Sequence, residues 1–345
     1  MTSTLQFNRR QWLQKFAGAP LLPLASSLSG ASLMLSACGG TTQTLASFTS
    51  ATFTSTPAPG LSNAAQMATT TVGSMLNLNF SDGSQQSYKL SYQPFFVTGD
   101  MVSDGKGGKV LAGGYVDINN NPIIDTTVAG KERQFFSDSP DGTSLLTVPN
   151  ANVPGVKGNT VFAVVQFEYT TWAQDGVSGM YGKLPSPIAV LTLDQDPSTG
   201  KLSLVKYHNV DTSSVNGLWI TCGASLSPWG THLSSEEYEP NAFTAATDAQ
   251  FKAFSKNLYG SETAANPYNY GHMPEVTVNP DGTASIKKHY NLGRISHELV
   301  QVMPDNRTVF MGDDATNSGY FVFVADKEKD LSSGTLYVAK VGAGF

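Results

Sequence analysis

Cysteine is scarce: only Cys38 and Cys222 occur in 345 residues. Two thiols cannot build a disulfide framework. Charge is thin as well, at 14% of residues, and basic charge thinner still, with 21 Lys and Arg against 27 Asp and Glu. Three of those basic residues (Arg9, Arg10 and Lys15) lie in the first 38 positions, which contain no acid. The remainder therefore carries 18 basic against 27 acidic residues, a formal charge near −9. A body that acidic argues against nucleic acid as a partner, whereas clustered carboxylates suit hard cations. Long apolar runs are missing too. The mildly apolar stretch 16–34 is broken by Gly18, Pro20 and Pro23 and is too weak for a stable membrane span. Nor is there the Ala, Glu, Lys and Leu richness of a helical protein. Instead 33 Gly, 18 Pro and 18 Phe, with many Thr, Ser and Val, predict short strands joined by turns.

The N-terminus reads as an export signal. Asn8-Arg9-Arg10-Gln11-Trp12-Leu13-Gln14-Lys15 sets paired arginines before a bulky apolar pair and resembles the twin-arginine pattern. The segment ends in Leu35-Ser36-Ala37-Cys38-Gly39, which looks like a bacterial lipobox: small residues give a peptidase access, and the Cys38 thiol takes the lipid. Several acyl chains on one residue anchor stably where a single chain does not. Residues 1–38 are thus read as a lipoprotein signal, and the body as exported, periplasmic or cell-surface, and held to the membrane through Cys38. The other reading is a plain secretory signal with an incidental cysteine. Residues 39–71 carry no charge, are rich in Thr, Ser and Ala, and read as a tether. Leu45-Ala46-Ser47-Phe48-Thr49 reads equally as a first strand.

Residues 72–345 form the expected folded domain. Short apolar runs at 75–80, 160–167, 188–193, 275–278, 308–311 and 320–324 alternate with Gly, Pro, Asn and Asp clusters, which are strand and turn signals. Only residues 242–258 look helical, with Phe243, Phe251, Phe254 and Leu258 on one face. The expectation is an all-β fold. Many short strands fit a propeller or a sandwich, and the pattern leaves both open.

Three segments concentrate chemistry. In 221–237 a thiol (Cys222), a turn (Pro228-Trp229-Gly230) and paired carboxylates (Glu236, Glu237) lie close together. The turn would fold the strand back and bring Cys222 towards the acids. Sulfur with carboxylate oxygen suits iron or zinc better than calcium alone. The same residues also read as a small buried cysteine beside a solvated acidic pair. In Leu292-Gly293-Arg294-Ile295-Ser296-His297-Glu298, adjacent His297 and Glu298 would face opposite sides of a strand. Arg294 and Glu298, four apart, would share a face, as an anion-binding cation beside a ligand or as a surface ion pair. Val309-Phe310-Met311-Gly312-Asp313-Asp314 ends a strand in two carboxylates, a common turn without function. Glu275 enters a later strand and says little alone.

In this order the motifs resemble the PhoX family of exported alkaline phosphatases, β-propellers that use iron and calcium. The likeness rests on Cys222 through Glu237, on Glu275, on Leu292 to Glu298, on Met311 to Asp314 and on the closing stretch Asp330 to Lys340. Weaker likeness extends upstream to Glu168-Tyr169 and to Tyr92–Asp100. The resemblance implies a propeller and hydrolysis of phosphate monoesters. It makes Cys222, Glu237, Glu275 and Glu298 candidate iron ligands, Asp313, Asp314 and Glu236 candidates for calcium or support, and Arg294 a candidate anion holder. Two departures stand out: Ser296 occupies a usually basic position, and Gln166-Phe167-Glu168-Tyr169 lacks the usual histidine. Family members are also longer than this chain, so a C-terminally shortened ring with impaired activity is expected. The alternative is a non-catalytic surface propeller that binds calcium or another ligand. Nothing in the acidic body points to a protein partner.

Overall fold

The computed structural model describes residues 46–340 and 342, apart from 56, 57, 59, 61, 64 and 66–70. The expected signal, its Cys38 and parts of the 39–71 tether lie outside the described residues. The chain divides into two compact units, Met1–Phe95 and Phe96–Phe345. The first holds one antiparallel sheet of β1 (Phe48–Phe53), β2 (Thr71–Phe80) and β3 (Gln85–Ser91). β1 overlaps the alternative first strand, within the stretch read as tether. Gly83, at φ 81°, turns β2 into β3.

The second unit opens with two short ribbons, β4 (Met101–Ser103) with β5 (Lys109–Leu111) and β6 (Ile124–Asp125) with β7 (Arg133–Gln134). Three four-stranded antiparallel sheets then follow in strict chain order. The first contains β8 (Pro140–Leu146), β9 (Asn159–Phe167), β10 (Ile188–Gln195) and β11 (Leu202–Asn209). The second contains β12 (Ser225–Leu226), β13 (His232–Leu233), β14 (Met273–Val278) and β15 (Ala284–His289). The third contains β16 (His297–Val302), β17 (Thr308–Asp313), β18 (Tyr320–Lys327) and β19 (Asp330–Val338). A four-stranded meander is the blade of a propeller, and the all-β expectation holds.

Apolar layers between the blades hold them together. One combines Phe162, Val164, Ile188 and Val190 of the first blade with Val276 and Val278 of the second. The next combines Leu233 and Met273 with Val300, Val309, Met311 and Phe323 of the third. The first strands lie side by side: Ser225 Oγ in β12 donates to the Val300 carbonyl in β16, and Gly142 N in β8 donates to the Cys222 carbonyl at 3.2 Å. Every blade therefore begins at a shared centre.

The α-helix α1 (Ala249–Tyr259) starts later than the expected 242–258. Asp248 caps it by accepting Phe251 N at 2.7 Å, Gly260 closes it at φ 76°, and Phe243 stands 96% exposed before it. Its buried Phe251, Phe254 and Leu258 pack with Trp219, Ile220 and Tyr270 in one aromatic cluster. Among the described residues no helix is long and apolar enough to cross a membrane.

Candidate metal centre

The three blades repeat one arrangement where the second strand ends beside the start of the first. Phe167 pairs with Pro140, Glu236 with Thr221, and Asp313 with His297. One residue further along each second strand stand Glu168, Glu237 and Asp314. One residue further along each first strand stand Asp141, Cys222 and Glu298. All six are thus placed at equivalent positions around one end of the blades.

The side chains converge accordingly. Ligand atoms of Glu168, Cys222 and Glu237 lie within 4.8 Å of one another, as do those of Glu237, Glu298 and Asp314. Glu237 belongs to both groups. The Cys222 thiol donates to Glu298 Oε2 at 3.3 Å.

Backbone bonds fix the donors. The Pro228-Trp229-Gly230 turn folds β12 onto β13, so that Cys222 N reaches Ser235 O at 3.3 Å and Glu237 N reaches Ile220 O at 3.0 Å. Ser235 Oγ donates to the carbonyls of Gly223 and Glu298. Ser186 Oγ donates to Glu168 O at 2.7 Å and accepts Thr221 N. Gln166 Nε2 donates to the Cys222 carbonyl, while its Oε1 faces His232 Nε2 at 3.1 Å. Ile220 and Tyr238 hold positive φ, 28° and 46°. That conformation is costly for bulky residues and concentrates at functional sites.

These donors sit among like charges. Burial pushes Glu237 up to about 9, with Glu168 beside it adding to the effect. Glu168 is raised by burial and by Asp141 and Glu298. Burial, then Glu237 and Glu298, push the Cys222 thiol up. The charged groups acting most strongly on all three are carboxylates. Four carboxylates and a thiol with this spacing fit a cation centre of mixed hardness.

The other predicted residues lie elsewhere. Glu236 is wholly buried; it pairs with Lys288 at 3.0 Å and accepts Trp219 N, Gly271 N and His272 N. Glu275 accepts Trp229 Nε1, Thr231 Oγ1 and His289 Nε2 and pairs with Lys287. Burial would raise it, but those bonds outweigh burial and hold it at about 2. Both carboxylates are therefore saturated by protein donors. Asp313 accepts Ser296 N at 3.1 Å. The expectation that Arg294 and Glu298 share a strand face is corrected. Gly293, at φ 97°, ends a 3₁₀ turn and β16 begins only at His297. The Arg294 guanidinium donates to the carbonyls of Pro240 and Pro267 and lies over Tyr268.

Glu168 is the donor that motif reading missed as a ligand. Its signal was positional: an acid directly after the buried run of β9, followed by Tyr169, just as Glu237 is followed by Tyr238.

Compared with known families, residues 156–344 match "Alkaline phosphatase PhoX", a span that contains every donor above except Asp141. Among solved structures, Pseudomonas fluorescens PhoX in complex with vanadate, a transition-state analogue, is similar at 21% identity, with a TM-score of 0.42, over 61% of this chain and 47% of that one. The chain thus spans about half the length of that structure. No curated protein matches it. With more than half of its length matched by the family profile, the chain belongs to the PhoX alkaline phosphatase family.

Proposed function

We propose that the chain is a metal-dependent hydrolase of phosphate monoesters. The observation that carries this reading is the cluster of Glu168, Cys222, Glu237, Glu298 and Asp314, brought together by three blades. The PhoX family is metal-dependent. Iron suits the half of the cluster that includes the thiol, and calcium suits the all-carboxylate half. A metal bound there would supply positive charge for the phosphoryl oxygens and make an attacking water more acidic.

The chain's own residues do the rest. To hold a metal, Glu237 and Cys222 would give up their protons, and Glu298 would lose its thiol donor. Cys222, between Glu168 and Glu298, sets the spacing of the centre. Arg294 directs Nη2 at the carbonyls of Pro240 and Pro267, so phosphate binding in this reading relies on the centre itself. The N-terminal pattern supports export and a lipid anchor at Cys38, with the active domain outside the cytoplasm.

Iron and calcium content of the body from Gly39 onward, purified without added metal, tests the reading. Iron retained by the native chain and lost in Cys222→Ala, together with cleavage of p-nitrophenyl phosphate but not of its diester, supports it. A folded protein without bound metal would overturn it in favour of a ligand-binding propeller. Metal with diesterase activity alone would overturn the monoester assignment.

A further inference from the structure

Tyr238 directly follows Glu237 but was not among the predicted site residues. Its backbone is held at φ 46° by two bonds. Its N–H donates to Ser296 Oγ at 2.7 Å, and its carbonyl accepts Trp219 Nε1 at 3.0 Å. Ser296 is 4% exposed and is itself fixed, since its N–H donates to Asp313 Oδ1 and its carbonyl accepts Asp314 N. Trp219 is anchored by Glu236 and packed against Phe254. The Tyr238 side chain, in contrast, is 48% exposed, and its hydroxyl donates to Asp314 Oδ2 at 2.5 Å. A bulky residue in a costly conformation, clamped on both sides, thus delivers one hydroxyl from the second blade to a carboxylate of the third.

We infer that Tyr238 is a positioning residue, whose hydroxyl fixes the Asp314 carboxylate so that it meets Glu237 and Glu298 as a ligand. Ser296 is the clamp that keeps the tyrosine in place. A serine fits there because the position must accept an N–H from Tyr238, which a lysine or arginine side chain cannot do. The inference rests on the metal-centre reading above. Partners that orient metal ligands typically change metal affinity 10–100-fold when removed.

The test is competition of a graded chelator against iron and calcium in the native body, Tyr238→Phe, Asp314→Ala and the double variant, with melting of the metal-free proteins alongside. In Tyr238→Phe, metal is expected to leave at roughly 10–100-fold lower chelator concentration, with the metal-free melting temperature unchanged. In the Asp314→Ala background, the tyrosine change should add nothing. Ser296→Ala should shift retention in the same direction, and Ser296→Thr, which restores an acceptor, should recover it. Equal retention in Tyr238→Phe, or an undiminished further loss on top of Asp314→Ala, overturns the positioning role and leaves the metal centre standing. Absence of metal from the native chain overturns both.

Discussion

Glu237 carries a consequence that can be read from pH alone. Its folded pKa is raised from 4.5 to about 9 by burial and by Glu168. The metal-free native state therefore holds a proton that the unfolded chain has released. Stability from this group is complete below about pH 4.5 and is lost as pH rises towards 9. Metal-free protein should melt at progressively lower temperature across that window, and metal addition should abolish the slope and release protons in calorimetry. A flat profile would mean that Glu237 is ionised without metal. Glu236, its neighbour, is instead held by protein donors. Glu236→Gln leaves Lys288, whose side chain is 1% exposed, without its charge partner, and should cost about 3–5 kcal/mol. Glu236→Gln with Lys288→Met should recover much of that loss in denaturant titration. Sequence showed two adjacent glutamates and a plausible ligand in each, but not that one is saturated. The donors that saturate Glu236 come from residues 219, 271, 272 and 288, and no local pattern announces such distant partners.

Among the elements, the segment after Cys222 is tightly constrained. A Cβ at Gly223 would lie 2.4 Å from the Glu298 carbonyl, a backbone atom that cannot swing aside. Gly223→Ala should therefore force apart the strands that carry Cys222 and Glu298. A cost of about 1–3 kcal/mol in stability is expected, with weaker metal retention in the chelator series. A variant as stable and as well loaded as the native chain would show that the strands yield freely. The strands β9, β10, β17 and β18 were legible from their apolar runs. The β12–β13 hairpin was visible only through its Pro-Trp-Gly turn, because its strands are two residues long. The helix was found but begun too early, since the run from Ala242 looked continuous and the capping role of Asp248 depends on geometry. The Arg294–Glu298 relation failed for a similar reason: a glycine with positive φ breaks the strand periodicity between them.

At the scale of the molecule, the centre is assembled from the same place in three consecutive blades. No exact repeat was visible in the sequence because equivalence here means position, not identity: Glu168, Glu237 and Asp314 correspond, as do Asp141, Cys222 and Glu298. Asp141 already raises Glu168 and Cys222 through its charge. Asp141→Asn should thus weaken metal retention at low ionic strength and matter little in high salt, where exposed charges are screened. Equal retention at both would exclude it from the field of the site. Metal spanning the blades should also stabilise the whole unit, by about 4 kcal/mol at a thousandfold excess over the dissociation constant.

The spread of the donors along the chain has one more consequence, for the order of events in biosynthesis. Glu168 emerges from a ribosome nearly 150 residues before Asp314, and a product that stops short of Asp314 lacks part of the second group. Translation must pass Asp314 and the third blade must dock before the second group can form, so the set of five donors is completed late.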